Sequence, residues 1–139
     1  MAAAVTTGPN NSEISVTFED QQKINRFARL NARMMEIKEE LKGKKLVLQN
    51  MDDALNDLSA AELEADDPSE GVRIKEGEMF VKFDFDQATS WIENNKSQME
   101  KEVESMNGNI DVIRQEMNQL KTALYARFGK DNINLEADD

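Results

Sequence analysis

Two long segments of this chain carry a heptad repeat of apolar side chains, and that repeat constrains the fold more than any other feature. In each segment, nine of the ten positions spaced as a and d of a heptad are apolar. In residues 17–62 the two rows are Phe27, Met34, Leu41, Leu48, Leu55 and Leu30, Ile37, Lys44, Met51, Leu58. In residues 87–128 they are Ile92, Met99, Met106, Ile113, Leu120 and Lys96, Val103, Ile110, Met117, Leu124. The repeat predicts two long coiled-coil helices.

The ends of both segments carry helix signals. Thr17 can cap the first helix, and Asp86 is the predicted N-cap of the second. Gly129 stands where a helix C-terminus favours glycine. The triplet Asn107-Gly108-Asn109 could divide the second helix. Because the heptad spacing passes through it without a phase shift, we expect a continuous helix with a soft point there.

The connector between the helices predicts an acidic loop followed by a β-hairpin, together residues 63–86. Residues 62–71 are acidic and contain Asp67-Pro68, which favours a loop. Residues 72–85 alternate apolar and charged side chains on both sides of Glu76-Gly77, the pattern of two strands and a turn. We expect residues 1–16 to form a disordered N-terminal tail and residues 129–139 an acidic C-terminal tail.

Two seams on one chain fold back most simply as an antiparallel coiled coil. Setting Leu55 opposite Ile92 also sets Lys44 opposite Val103 and Lys96 beside Met51. A slip of one heptad remains an alternative register. The predicted fold class is mainly α, with the two helices joined by a hairpin.

The hairpin is too apolar to be left as a solvated ribbon, and a lone two-stranded hairpin is marginal in water. We therefore expect its residues to form a subunit-assembly surface that pairs with strands of other chains. The alternative is a hairpin folded over the helix ends of its own chain. This hairpin surface consists of Val72, Ile74, Met79, Phe80, Val81, Phe83 and Phe85.

Apolar residues also gather where the start of the first helix meets the end of the second. Phe27, Leu30 and Leu124 belong to the seam, whereas the others lie outside its register or at its edge and could grip an apolar ligand. We refer to the set as the tip cluster. It consists of Phe18, Ile24, Phe27, Leu30, Leu124, Tyr125 and Phe128.

Composition argues against catalysis. The 139 residues contain no Cys and no His, which removes thiolate and imidazole chemistry from both catalysis and metal binding. We expect no enzyme activity, no cofactor and no metal. The opening residues do not resemble a signal peptide, no run approaches the length of a membrane span, and we expect a reducing intracellular compartment.

Charge placement leaves one competing hypothesis open. The net charge is −11, and eight of those charges lie in the connector and the last eleven residues. Lys23, Arg26, Arg29 and Arg33 nevertheless form a basic stretch without an acid. The alternative function is therefore a structural coiled-coil adaptor whose basic helix face contacts nucleic acid or nuclear partners. A chain this acidic disfavours direct nucleic-acid binding.

Three stretches of the sequence resemble the β class of the prefoldin family. The first is Val16-Thr-Phe-Glu-Asp-Gln-Gln-Lys-Ile-Asn-Arg-Phe-Ala, and the second is Glu76-Gly-Glu-Met-Phe-Val in the hairpin. The third joins Leu124-Tyr-Ala-Arg-Phe-Gly to Asn132-Ile-Asn-Leu-Glu-Ala-Asp. The resemblance covers about residues 14–139.

The resemblance implies a function without catalysis. In that family two α-class and four β-class subunits assemble through their hairpins into a β-barrel that carries six coiled coils. The distal tips hold unfolded polypeptides, notably actin and tubulin, and deliver them to the cytosolic chaperonin without ATP. By this likeness the partners are two α-class and three further β-class subunits, unfolded proteins and the chaperonin, with no membrane. The expected location is the cytoplasm, and a nuclear role stays open.

Overall fold

The computed structural model describes residues 4–5 and 15–135 as two long helices and four strands. In chain order these are strand β1 (Ala4–Val5), helix α1 (Phe18–Glu64), strand β2 (Val72–Glu76), strand β3 (Met79–Phe83), helix α2 (Phe85–Phe128) and strand β4 (Ile133–Asn134). A 3-10 turn at Pro68–Glu70 precedes β2. The predicted fold class, mainly α with a hairpin between two long helices, is confirmed. In the described residues neither helix contains a stretch apolar enough to cross a membrane.

The chain divides into two compact units, and both helices contribute to each. One unit contains the chain up to Glu40 and from Met106 onward, and the other is Leu41–Ser105. The predicted disordered tail, residues 1–16, lies mostly outside the described residues, although β1 falls within it. The predicted acidic tail contains β4, and its residues 136–139 are also outside the description.

Helix α1 begins with a reciprocal cap, as its sequence predicts. The backbone N–H of Asp20 donates to Thr17 Oγ1 at 3.1 Å, and the backbone N–H of Thr17 donates to Asp20 Oδ2 at 3.0 Å. Each bond satisfies a donor that the first helical turn leaves without a carbonyl partner. Thr17 is therefore confirmed as the cap.

Helix α2 begins at Phe85, and the prediction that Asp86 caps it is wrong. The cap is Asp84, whose Oδ1 accepts from the backbone N–H of Gln87 at 2.6 Å while its own N–H donates to Gln87 Oε1 at 3.2 Å. A capping box needs an amide or carboxylate three residues after the cap. Gln87 meets that spacing from Asp84 and not from Asp86.

The second helix is continuous through Gly108 and ends where predicted. It runs from Phe85 to Phe128 without a break, and a Cβ added at Gly108 would meet no atom within 4 Å. Gly129 has a φ of +85°, a backbone conformation that favours glycine, and its N–H donates to the carbonyl of Tyr125 at 2.8 Å. This geometry terminates α2.

Strands β2 and β3 form the predicted antiparallel hairpin. Val72 lies opposite Phe83 and Ile74 opposite Val81, with Glu76 and Met79 closing the ladder. Gly77 has a φ of +64° at the first position of the two-residue turn, as a type II′ turn requires.

The heptad rows form the buried seam within each unit. In the unit that contains the chain termini the buried seam residues are Phe27, Leu30, Met34, Ile37, Ile110, Met117 and Leu124. In the unit Leu41–Ser105 only Leu41 and Ile92 of the seam are fully buried, and the rest of its apolar seam residues are half-buried. Burying one such side chain contributes about 1.5–3 kcal/mol, so the seam is the main source of stability.

Two ion pairs support the predicted register within the unit Leu41–Ser105. Lys44 Nζ lies 2.9 Å from Glu102 Oε2, the neighbour of Val103, and Lys96 Nζ lies 2.5 Å from Asp52 Oδ1, the neighbour of Met51. A slip of one heptad would move each pair about 10 Å apart along the helices. The long lysine stems lie along the apolar seam while their charged ends meet a carboxylate.

Candidate assembly and binding surfaces

The hairpin surface is divided between an inner and an outer face. Val72, Ile74, Val81 and Phe83 share one face of the ladder and are half-buried. Phe80 lies on the opposite face and is 66% exposed, and Met79 at the turn is 70% exposed. Exposed apolar side chains of this size on a short strand are uncommon in a protein that functions alone.

The inner face of the hairpin lies against the helices of its own unit. The rings of Phe83 and Trp91 stack with their centroids 6.3 Å apart and their planes 26° from parallel. The hairpin is thus anchored on α2. This contact agrees in part with the alternative prediction that the hairpin folds over the helices of its own chain. Its outer face and turn remain uncovered in the described residues.

An apolar groove of about 550 Å³ opens between α1, strand β2 and the start of α2. Val47, Met51 and Leu58 line it from α1, and Ile74 and Trp91 line it from the other two elements. The groove therefore continues the hairpin surface onto the helices and enlarges the apolar area available to another chain.

Phe85 differs from the other hairpin-surface residues. The sequence places it at the end of the second strand, but in the structure it is the first residue of α2 and is buried. The reason is the Asp84 cap, because the strand ends at Phe83, two residues earlier than the alternation suggests. Phe85 supports the base of the hairpin and presents no surface to another chain.

Most of the tip cluster is packed inside the chain. Five members are buried, and these are Ile24, Phe27, Leu30, Leu124 and Phe128. Ile24 and Phe128, which the sequence places outside the seam or at its edge, belong to the core. Tyr125 is half-exposed, with Lys121 Nζ 5.7 Å from its ring centre. Phe18 is 78% exposed and is the one member fully open to solvent.

Polar contacts hold the two helix ends of the tip cluster together. Arg127 Nε donates to Asp20 Oδ2 at 3.2 Å, and Arg127 Nη2 donates to the carbonyl of Ser15 at 3.0 Å. The hydrogen bond from the Thr17 backbone lowers the pKa of Asp20, and the Thr17 hydroxyl and Arg127 lower it further. Asp20 therefore remains ionised opposite Arg127 in mildly acidic solution.

Sequence reasoning missed two buried residues near the C-terminus. Ile133 is 3% exposed and Leu135 is 1% exposed, although both fall in a stretch expected to be an acidic tail. The sequence signal for their burial is the apolar–polar–apolar alternation of Ile133, Asn134 and Leu135. Three residues are too few to distinguish a strand from a chance pattern.

Comparison with known proteins decides the family. The prefoldin subunit family model matches residues 21–131. Prefoldin subunit 4 of Homo sapiens is 39% identical over 127 residues, which cover 91% of each chain. Probable prefoldin subunit 4 of Drosophila melanogaster is 38% identical over 144 aligned residues covering both chains fully, and the Saccharomyces cerevisiae subunit 4 is 35% identical over 127 residues, 91% of this chain and 92% of the relative.

This chain belongs to the prefoldin family. It is a prefoldin-type chaperone subunit, as its sequence motifs indicate, and the relatives named subunit 4 confirm the resemblance of those motifs to the eukaryotic fourth subunit. The match to the prefoldin model contains nearly all of both helices and the whole hairpin. It ends at Asp131, just before β4.

The basic stretch of this prefoldin chain is partly neutralised. Arg26 donates from Nε and Nη2 to the two carboxylate oxygens of Glu116, at 2.9 and 3.1 Å, and this bond lowers the pKa of Glu116. Arg33 pairs with Glu36 one turn away. With two of its four cations paired to carboxylates, the stretch offers less free positive charge than its sequence suggests.

Proposed function

We propose that this chain is a β-class subunit of a hetero-hexamer, in which it joins two α-class and three further β-class subunits through its hairpin. The observation that carries the proposal is the exposure of Met79 and Phe80 on a two-stranded sheet. Two strands alone are marginal in water, and both outer edges of this sheet lack a strand partner in the described residues. Strands of neighbouring subunits would extend the sheet and close it into a barrel.

The groove beside the hairpin supports the same proposal. Its apolar lining adjoins β2, so a neighbour that pairs with the hairpin would also cover Trp91 and the helix face beneath. An interface built on this area would combine main-chain pairing with apolar burial, as stable subunit interfaces do.

We further propose that the assembled complex holds non-native polypeptides, such as actin and tubulin, at the coiled-coil tips without ATP. It would deliver them to the cytosolic chaperonin. Within the tip cluster only Phe18 is fully exposed, so one tip should bind weakly. Several tips on one base raise the effective concentration for each further contact and so give avidity. The proposal puts this work in the cytoplasm, as the likeness to the prefoldin family implies, and is compatible with a nuclear pool.

Solution mass tests the assembly. The full chain, mixed with candidate partner subunits, should enter a complex of six chains, measured by light scattering after size exclusion. Phe80→Ser should weaken that assembly severalfold because it removes the exposed ring from the outer face. Val112→Ser is the matched control, since Val112 is equally exposed on α2 outside the hairpin.

Two results would contradict the proposal. A chain that stays monomeric with every α-class and β-class partner has no assembly role. Equal behaviour of Phe80→Ser and the wild-type chain would show that the hairpin is not the interface.

A further inference from the structure

The segment after α2 turns back and packs against its own unit. Asn132 fixes the turn, because its backbone N–H donates to the carbonyl of Gly129 at 3.2 Å and its Nδ2 donates to the carbonyl of Phe128 at 2.8 Å. Ile133 and Leu135 then point inward and are almost completely buried. The segment is therefore an integral part of the folded unit.

This packing changes what an unfolded polypeptide can reach. Because five residues of the tip cluster are buried, side-chain contact with them would require the helix ends to separate. Phe18 alone offers little apolar area. A binding mode that needs no opening of the core has to use another feature of the unit.

Strand β4 provides such a feature, a main-chain edge. Its resident partner is β1, which pairs antiparallel with Ala4 opposite Asn134 and Val5 opposite Ile133. A strand edge accepts any extended segment through main-chain hydrogen bonds, with little dependence on side-chain sequence. The anchored side chains of Ile133 and Leu135 keep β4 in place whichever segment pairs with it.

We propose that β4 accepts an extended stretch of non-native polypeptide as an added strand, and that residues 4–5 of the chain are its intramolecular competitor. The proposal rests on the client-holding function proposed above and adds its mode of binding and its regulation. In the described residues the pairing of β1 spans two positions, and an extended segment that offers more main-chain pairing can displace it. The covalent link keeps the competitor at high local concentration and limits binding to segments that offer more main-chain pairing.

A double proline substitution tests the competitor. Ala4→Pro with Val5→Pro removes both backbone N–H groups from β1 and leaves the helices and hairpin unchanged. The matched control is Ala4→Thr with Val5→Thr, which keeps both N–H groups. The probe is fluorescently labelled, reduced and carboxymethylated α-lactalbumin, and its affinity is measured by anisotropy for the full chain alone and in the complex with its partner subunits.

The expected result is probe affinity about fivefold higher for the proline variant. Of two successive N–H groups in an antiparallel strand only one faces the partner, and the loss of one main-chain hydrogen bond has about that effect on an equilibrium. The threonine control should match the wild type. A synthetic peptide of residues 1–8 should compete with the probe, and the same peptide with both prolines should not.

The outcomes separate the two proposals. If the wild-type protein binds the probe but the proline variant binds it with equal or lower affinity, the strand-edge mechanism is overturned and the client-holding function stands. Failure of the residue 1–8 peptide to compete would also overturn it. If neither the chain nor its complex binds the probe, the client-holding function itself is wrong.

Discussion

Asn31 is buried at 1% exposure in the same unit as Phe27 and Met34, yet its amide makes no hydrogen bond in the described part of the chain. Leaving a buried amide without partners costs about 1–3 kcal/mol. A polar residue in or beside a coiled-coil seam lowers stability and favours a single register. Asn31 therefore shows how one side chain can weaken the seam that its neighbours stabilise.

Asn31→Leu should raise the free energy of unfolding by about 1–2 kcal/mol, because an apolar side chain of similar size replaces an unsatisfied amide. Urea unfolding of the full chain, followed by circular dichroism, measures the change. Asn118→Leu is the control, since Asn118 is exposed and its substitution should have little effect. A lower midpoint for Asn31→Leu would mean that the amide has partners or that leucine does not fit.

At the scale of the elements, local capping decides where each element begins and ends. Asp84 ends β3 and starts α2, so the strand and the helix are joined without an intervening loop. Gly71 lets the start of β2 pack closely on the end of β3, because a Cβ at this position would clash with the carbonyl oxygen of Phe83. The base of the hairpin is thus fixed by two residues that carry no apolar surface.

Asp84→Ala should lower the free energy of unfolding by about 1 kcal/mol, the usual cost of removing an N-cap. Asp86→Ala is the matched control, because Asp86 only interacts with the helix dipole and its loss should cost about 0.5 kcal/mol. Urea unfolding monitored by circular dichroism compares the two variants. A larger effect of Asp86→Ala would contradict the assignment of the cap.

The elements also show which features a sequence can predict. The heptad rows predict both helices because the same spacing recurs many times. Gly77 predicts the hairpin turn because few residues other than glycine adopt its backbone conformation. The predicted cap of α2 is wrong because aspartates stand on both sides of Phe85, and only the spacing to Gln87 identifies Asp84 as the cap. The burial of Ile24 and Phe128 could not be predicted from the heptad rows, because neither residue belongs to them. The same unit also buries Ile133 and Leu135, whose short segment carries no repeat.

At the scale of the whole molecule, exposed and buried apolar residues divide into two roles. Phe80 lies on the outer face of the hairpin, Met79 at its turn and Phe18 at the start of α1, and all three are exposed to other proteins. Ile24 and Phe128 are part of the fold. Substitutions in the tip cluster should therefore separate binding from stability.

Phe18→Ser should weaken retention of an unfolded protein by the assembled complex severalfold without changing the stability of the chain, because Phe18 is exposed. Ile24→Ser should instead lower the free energy of unfolding by about 2–4 kcal/mol, as expected for the loss of a buried aliphatic side chain. Suppression of aggregation measures retention, and urea unfolding measures stability. Unchanged retention by Phe18→Ser would remove Phe18 from the binding surface.

The stacked pair of Phe83 and Trp91 has a practical consequence. Trp91 is the single tryptophan of the chain, and it stands beside the apolar groove, half in water. Indole emission shifts to shorter wavelength when water leaves its surroundings. The protein therefore carries a built-in fluorophore at its proposed interface, and docking of a neighbouring subunit can be followed in real time without an added label.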